Sequence, residues 1–338
     1  MIEGHGDDCY KFSNEIKINF SSNIYNHAEQ RELYDHLSHK LPLIHSYPPP
    51  IPYELENKIA DDANIDSKEV SVTNGATEAI YLIAQLFANK CSTILEPTFS
   101  EYADACRLHH HKIEFIYRLD ENARLGNLVW ICNPNNPTGE VFDKDLLIRI
   151  ISKNPKTYFV IDQSYENFTL KPLLSEKEAI AFDNLILIHS MTKQFAIPGL
   201  RVGYISANRN IVHEFTLHKM PWSVNVIAIE AAKYLIENKN RYLMDIASIM
   251  VERERVHDRL KEIYGVVPWS SDTNFMLVQL RSGNSSSLKE YLVKEHSMLI
   301  RDASNFHGLD SHFFRIAVQS AEENNQLIKA IEEWMSLY

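Results

Sequence analysis

Ser190-Met-Thr-Lys193-Gln-Phe-Ala-Ile-Pro-Gly-Leu-Arg201-Val-Gly-Tyr204 follows the apolar run Leu185-Ile-Leu-Ile-His189 and sets a hydroxyl, an amine and a guanidinium just beyond a strand end. A lysine amine becomes a nucleophile when desolvation or cationic neighbours lower its pKa. Hydroxyl and guanidinium groups hold phosphate oxygens. Together they suit an aldehyde cofactor that carries a phosphate, with Lys193 forming a Schiff base and Ser190 and Arg201 holding the anion. Ser-x-x-Lys also occurs in serine acyltransferases, where Ser190 would be the nucleophile. That chemistry wants Ser-Asp-Asn and Lys-Thr-Gly elements downstream, and the chain has neither. A purely structural loop is the remaining alternative, and the neighbouring stretches weigh against it.

Working outward, short β-branched or apolar runs alternate with amphipathic segments from about Val70 to Ser206, the pattern of a mainly parallel sheet covered by helices. The spacing predicts strands at Val70-Thr73, Thr93-Glu96, Ile113-Tyr117, Leu128-Cys132, Tyr158-Asp162, Leu185-His189 and Val202-Ser206. After Asn225 the pattern changes to helices over Val226-Asn238 and Arg241-Tyr264. Strands near Phe275-Leu280, Met298-Arg301 and Phe313-Val318 and a closing helix over Glu322-Trp334 follow. The expected class is α/β: a large domain with a mainly parallel, mixed seven-stranded sheet flanked by helices, plus a smaller α+β C-terminal domain. The large domain is expected over 41–235 and the small one over 236–338, with 1–40 a segment packing against the small domain and the active site.

Composition narrows the function classes. The 338 residues are 45% hydrophobic, enough for sizeable cores, and 34 Lys plus Arg against 45 Asp plus Glu give a formal net charge of -11. Such a chain repels nucleic acid and anionic membrane surfaces on average, so neither is an expected partner and any anionic substrate needs a local cluster of cations. The four cysteines, Cys9, Cys91, Cys106 and Cys132, have no zinc spacing, and reduced buried thiols are expected. The polar start from Met1 to Asp8 lacks the marks of a signal peptide, and no apolar stretch is long enough to span a bilayer. A cytoplasmic protein is expected. His109-His110-His111 offers no tetrahedral ligand set; a solvated helix end is expected there, and no metal.

Four further stretches carry chemistry. Thr73-Asn-Gly75-Ala76-Thr77 follows a strand and opens an apolar helix, whose first-turn N–H groups can bind phosphate; a threonine-capped helix start is the plain alternative. Asn133-Pro-Asn-Asn136-Pro137-Thr-Gly139 is a rigid turn after a strand, fixing an amide that can donate to a phenolate oxygen. Asp162-Gln-Ser-Tyr165 ends the next strand with a carboxylate and a phenol. A buried carboxylate beside a pyridine nitrogen keeps the ring cationic, which makes it an electron sink for a carbanion. Arg315 interrupts the apolar strand Phe313-Phe-Arg315-Ile-Ala-Val318, where a forked pair with a substrate carboxylate competes with an inter-domain salt bridge as its role. The lysine segment with these stretches reads as a site for pyridoxal 5'-phosphate (PLP).

In this order the motifs resemble fold-type I PLP enzymes of the aspartate aminotransferase superfamily, in the branch of histidinol-phosphate aminotransferases. The resemblance implies that Lys193 is the Schiff-base lysine, Asp162 the partner of the pyridine nitrogen, and Tyr165 and Asn136 the partners of O3′. Gly75, Ala76, Thr77, Ser190 and Arg201 then hold the cofactor phosphate. Phe99, in Glu96-Pro-Thr-Phe99-Ser-Glu-Tyr102, matches the ring that stacks on the cofactor. Tyr47 matches the tyrosine that reaches the phosphate in a neighbouring subunit, which implies a homodimer with shared active sites.

His5-Gly6, Met220-Pro-Trp-Ser-Val-Asn225 and the stretch from Leu299-Ile-Arg301 to Ser311 are similar to threonine-phosphate decarboxylases. That likeness implies a small phosphorylated amino acid as substrate, L-threonine O-3-phosphate, decarboxylated to (R)-1-aminopropan-2-ol O-phosphate for cobalamin biosynthesis. His5, Asn23 and Arg301 become candidates for the substrate phosphate and Arg315 for its carboxylate. Those decarboxylases usually open His-Gly-Gly, whereas this chain has His5-Gly-Asp-Asp. An aminotransferase of the histidinol-phosphate type is the second expectation, and a non-catalytic binding protein of the same fold the third.

Overall fold

The apolar runs pair as the alternation predicts in the computed structural model, which describes residues 6–13, 15–26 and 28–337. A short strand β1 (Ile18–Asn19) comes first. The large sheet is then built from β2 (Val70–Thr73), β3 (Cys91–Leu95), β4 (Lys112–Ile116), β5 (Leu128–Cys132), β6 (Tyr158–Asp162), β7 (Leu185–Ser190) and β8 (Gly203–Ala207). Its order is β2-β8-β7-β6-β5-β3-β4, parallel except for β8, which is antiparallel to β2 and β7. Strands β5 and β7 are buried at every residue, as parallel strands must be when helices cover both faces.

Those helices are α1 (Arg31–Lys40), α2 (Tyr53–Ala63), α3 (Gly75–Leu86), α4 (Glu101–Leu108), α5 (Lys144–Lys153), the single turn α6 (Glu176–Ala179), α7 (Arg209–Leu217) and α8 (Val226–Glu237). One face of the sheet is closed by α3, α4 and α7, through Ile80, Tyr102 and Phe215 packed about Trp130. The other is closed in two parts, Ile150 of α5 against Phe159 and Leu187, and Leu33, Leu55 and Leu235 of α1, α2 and α8 against Val72.

The C-terminal part holds α9 (Ile246–Glu262), β9 (Val266–Pro268), β10 (Phe275–Leu280), α10 (Ser285–His296), β11 (Met298–Leu299), β12 (Arg301–Asp302), β13 (Phe313–Ala317) and α11 (Ala321–Met335). Its antiparallel sheet runs β12-β13-β10-β9, while β11 pairs in parallel with β1. Phe20, just after β1, is fully buried among Val256, Ile316 and Trp334. The start of the chain therefore contributes to the C-terminal core, and α1 to the large one. Nearer the terminus, Lys289 of α10 donates to both carboxylate oxygens of Asp8 at 2.8 Å, a buried pair that fastens the first described residues to the small domain.

Several expected details differ. The second long helix starts at Ile246 rather than Arg241, because Asp245 takes the N–H of Ser248 at 3.1 Å and caps it there. The strand expected over Met298-Arg301 is split at Ile300 into β11 and β12, which pair with different sheets. The triple histidine is not wholly solvated: His111 is buried, its ring bonded to Ser92 Oγ at 2.7 Å and the Ala84 carbonyl at 2.8 Å. Cys106 and Cys132 are buried free thiols as expected, but Cys9 and Cys91 are only half-buried. No helix among the described residues is long and apolar enough to cross a membrane.

Candidate active site

Parallel strands β5, β6 and β7 end side by side at Cys132, Asp162 and Ser190, and the crevice beyond such ends is where open α/β sheets take ligands. A cavity of about 380 Å³ lies there, with Arg301 and Arg315 of the small sheet on its far wall and Gly6, Asp7 and residues 21–24 covering it. Its size suits a small cofactor with its substrate.

Lys193 projects into this cavity from the turn after β7. Desolvation first, then the Arg201 and Arg315 guanidiniums, bring its amine down from 10.5 to about 8. The amine is thus neutral far more often near physiological pH than that of an ordinary lysine.

An anion cup forms beside it. Helix α3 starts at Gly75 with no side-chain cap; Thr73 Oγ1 turns instead to the Gly75 carbonyl at 3.0 Å, which removes the threonine-cap alternative. The first-turn N–H groups are left open to an anion. Gly75 has φ +77°, and a Cβ there would sit 2.6 Å from Arg201 Nη2, so only glycine lets the guanidinium close over the helix start. Ala76, Thr77, Ser190 and Arg201 line the cavity together. So does Thr192, whose Oγ1 lies 2.9 Å from Ser190 Oγ; no role for it was legible in the sequence.

On the sheet side, Asp162 is buried, with Oδ1 accepting from the Ser164 N–H at 2.9 Å and Oδ2 from the Tyr102 hydroxyl at 2.8 Å. Phe99 lines the cavity one helical turn before Tyr102. Tyr165 also lines the cavity, its phenol pushed up to about 12 chiefly by burial. Asn136 accepts through Oδ1 from Arg315 Nη1, while Arg315 Nη2 donates to the Ser21 carbonyl at 2.6 Å. Arg315 therefore ties the small sheet to both the large domain and the N-terminal segment. No inter-domain carboxylate takes it, which leaves the salt-bridge alternative without support among the described residues.

Arg301 faces Arg315 across the β12–β13 ladder, residue against residue. Its Nη2 donates to Asn305 Oδ1 at 2.7 Å and its guanidinium lies 5.0 Å over the Phe306 ring. Burial and the neighbouring Arg315 bring Arg301 down to about 10, and burial lowers Arg315 as well. Lys193, Arg201, Arg301 and Arg315 thus form the local cation cluster that a chain of net charge -11 needs to capture an anion.

One expected site residue stands apart. Tyr47 is 84% exposed, away from this cavity, with its ring 5.5 Å from that of Trp222. His5 lies outside the described residues. Asn23 lines the cavity, buried, with neither amide atom bonded among the described residues. Arg315 Nε is likewise buried without a partner. Buried polar groups are rarely left unmet, so both have capacity to take a ligand or water atom.

The family described as "Aminotransferase class I and II" matches residues 15–331. The chain belongs to that family. Its members depend on PLP. The cup for a phosphate, the lowered amine of Lys193 and the buried carboxylate of Asp162 fit that cofactor. Among relatives, a histidinol-phosphate aminotransferase of Caldanaerobacter subterraneus subsp. tengcongensis is 32% identical over 312 residues, 87% of this chain and 85% of that protein. Among solved structures, L-threonine-O-3-phosphate decarboxylase from Porphyromonas gingivalis is 35% identical at TM-score 0.92, covering 94% of this chain and 99% of that one. The histidinol-phosphate aminotransferase from Clostridium acetobutylicum is 28% identical at TM-score 0.85, covering 95% and 100%.

Proposed function

We propose that this chain is a cytoplasmic PLP-dependent carboxy-lyase that converts L-threonine O-3-phosphate to (R)-1-aminopropan-2-ol O-phosphate, the alcohol unit of cobalamin biosynthesis. One observation carries the reading: Arg301 and Arg315 are register partners on β12 and β13, and both line the cavity that Lys193 enters. Cross-strand partners are only about 5 Å apart, so the two guanidiniums suit one small substrate with two anions close together. A carboxylate on Arg315 and a phosphomonoester on Arg301 and Asn23 meet that demand. Histidinol phosphate has a phosphate but no carboxylate and by itself engages only one of the two anion sites.

PLP, when bound, supplies a cationic ring that accepts the electron pair of the broken Cα bond. The chain's residues do the rest. Gly75, Ala76, Thr77, Ser190 and Arg201 hold the cofactor phosphate, Asp162 backs the ring nitrogen, and Tyr165 with Asn136 takes O3′. Phe99 packs on the ring face. Arg315 and Arg301 would fix the substrate's two ends and so decide which Cα bond is set to break. When that bond is Cα–carboxylate, CO2 leaves and Lys193 delivers a proton to Cα. When it is Cα–H, Lys193 removes the proton and the enzyme transaminates. The relative of 32% identity named for histidinol-phosphate transamination supports that second reading.

The chain works as a homodimer in this proposal, Tyr47 of each subunit completing the phosphate site of the other. The test is incubation with PLP and L-threonine O-3-phosphate while CO2, oxo acid and the cofactor's absorbance are followed. One CO2 per substrate with no pyridoxamine phosphate is expected. Oxo acid with pyridoxamine phosphate and no CO2 rejects the carboxy-lyase in favour of the aminotransferase.

A further inference from the structure

We infer that Tyr102 is a positioning residue that sets the direction of the Asp162 carboxylate; this rests on the proposal that Asp162 backs the ring nitrogen of PLP. Tyr102 is the second residue of α4 and 1% exposed. Its ring stacks on Trp130 of β5 with centroids 5.3 Å apart and planes within 17°, and it meets Phe99 edge-on at 5.8 Å. Two ring contacts therefore fix where the phenol oxygen stands. From there the hydroxyl donates to Asp162 Oδ2 at 2.8 Å, across 60 residues of sequence.

The other carboxylate oxygen has its own donor, the N–H of Ser164 at 2.9 Å. Free carboxylates turn easily about their last torsion. One donor on each oxygen stops that rotation and leaves each oxygen a further lone pair. The phenol serves as donor rather than acceptor because burial holds it in its protonated form. The other titratable groups near Asp162 are Cys132 on β5, Tyr165 and Lys193 in the cavity, and His189 on β7. Among the described residues Tyr102, and none of these four, donates a side-chain hydrogen bond to the Asp162 carboxylate.

The consequence concerns the proton shared between Asp162 and the ring nitrogen. With a donor on each oxygen the carboxylate is held in one direction, and a carboxylate kept aimed at the ring nitrogen would keep the proton there and the ring a strong electron sink. Tyr102→Phe retains the aromatic packing and removes only the hydroxyl. The carboxylate is then free to turn, and its hold on the proton at the ring nitrogen weakens.

The experiment uses holoenzyme loaded with PLP labelled with 15N at the ring nitrogen. In Tyr102→Phe the 15N resonance is expected to move toward the unprotonated-pyridine position, with kcat down about 3- to 30-fold and KM within about twofold. Site-specific 3,5-difluorotyrosine at position 102, a stronger donor of nearly the same shape, must move the resonance the opposite way; it keeps the test open should the phenylalanine variant fail to fold. An unchanged 15N shift in both, with kcat within twofold, overturns the inference and makes Tyr102 a packing residue only. Asp162→Asn in parallel separates the two claims: if it too leaves the 15N shift unchanged, the placement of Asp162 behind the ring is what fails.

Discussion

Lys193 shows how one side chain acquires chemistry from its surroundings. Its amine sits near 8 because it loses water and faces Arg201 and Arg315. Capture of PLP by the apoprotein requires the neutral amine, so its rate should rise with pH and level off above about 8. Arg201→Gln removes one of the cations that hold the value down and should move that midpoint upward by about half a unit. Stopped-flow absorbance after mixing apoprotein with PLP across pH 6 to 10 checks both; a midpoint close to the ordinary lysine value would show that the amine is not desolvated. The same depression makes the folded apoprotein bind fewer protons than the unfolded chain between about 8 and 10.5. Its stability should therefore grow as pH rises through that window.

Among the elements, the start of α3 matters most. The helix has no side-chain cap, begins with a glycine at φ +77°, and has the Arg201 guanidinium directly above it. Gly75→Ala should weaken PLP binding at least tenfold by displacing Arg201, and should cost about 1–3 kcal/mol of stability through the left-handed backbone. Fluorescence titration with PLP and urea unfolding of the apoprotein check the two effects separately. A variant that binds PLP as tightly as the parent would show that Arg201 and the helix start do not share one anion. This element was legible because its signal is local: a strand, a glycine and an apolar helix follow each other directly in the chain. The start of α9 and the break between β11 and β12 were less so, since a cap and a change of strand partner decide them.

At the scale of the whole molecule, Tyr47, Trp222, Met220 and Ile44 are large apolar side chains left on the surface, and Tyr47 lies away from its own chain's cavity. A second copy is the proposed cover. Analytical ultracentrifugation at micromolar concentration should find a dimer, and Tyr47→Ser with Trp222→Ser should shift it toward monomer while weakening PLP binding. A wild-type monomer with full activity would remove the shared site. Tyr47 was found in the sequence only through resemblance, because no pattern along one chain encodes a contact with another.

The sequence by itself determined the sheet, the order of its strands along the chain and the residues at their ends, because strand period and strand-end turns are local properties. Lys193, Asp162 and Asn136 could be named for that reason. Only the tertiary structure decided that Arg301 stands opposite Arg315, that Asn23 reaches the cavity with its amide unmet, and that Tyr102 donates to Asp162. Each of these joins segments far apart in the chain, and their meeting is fixed by the packing of the small domain and N-terminal segment on the large sheet, which no short window of residues contains.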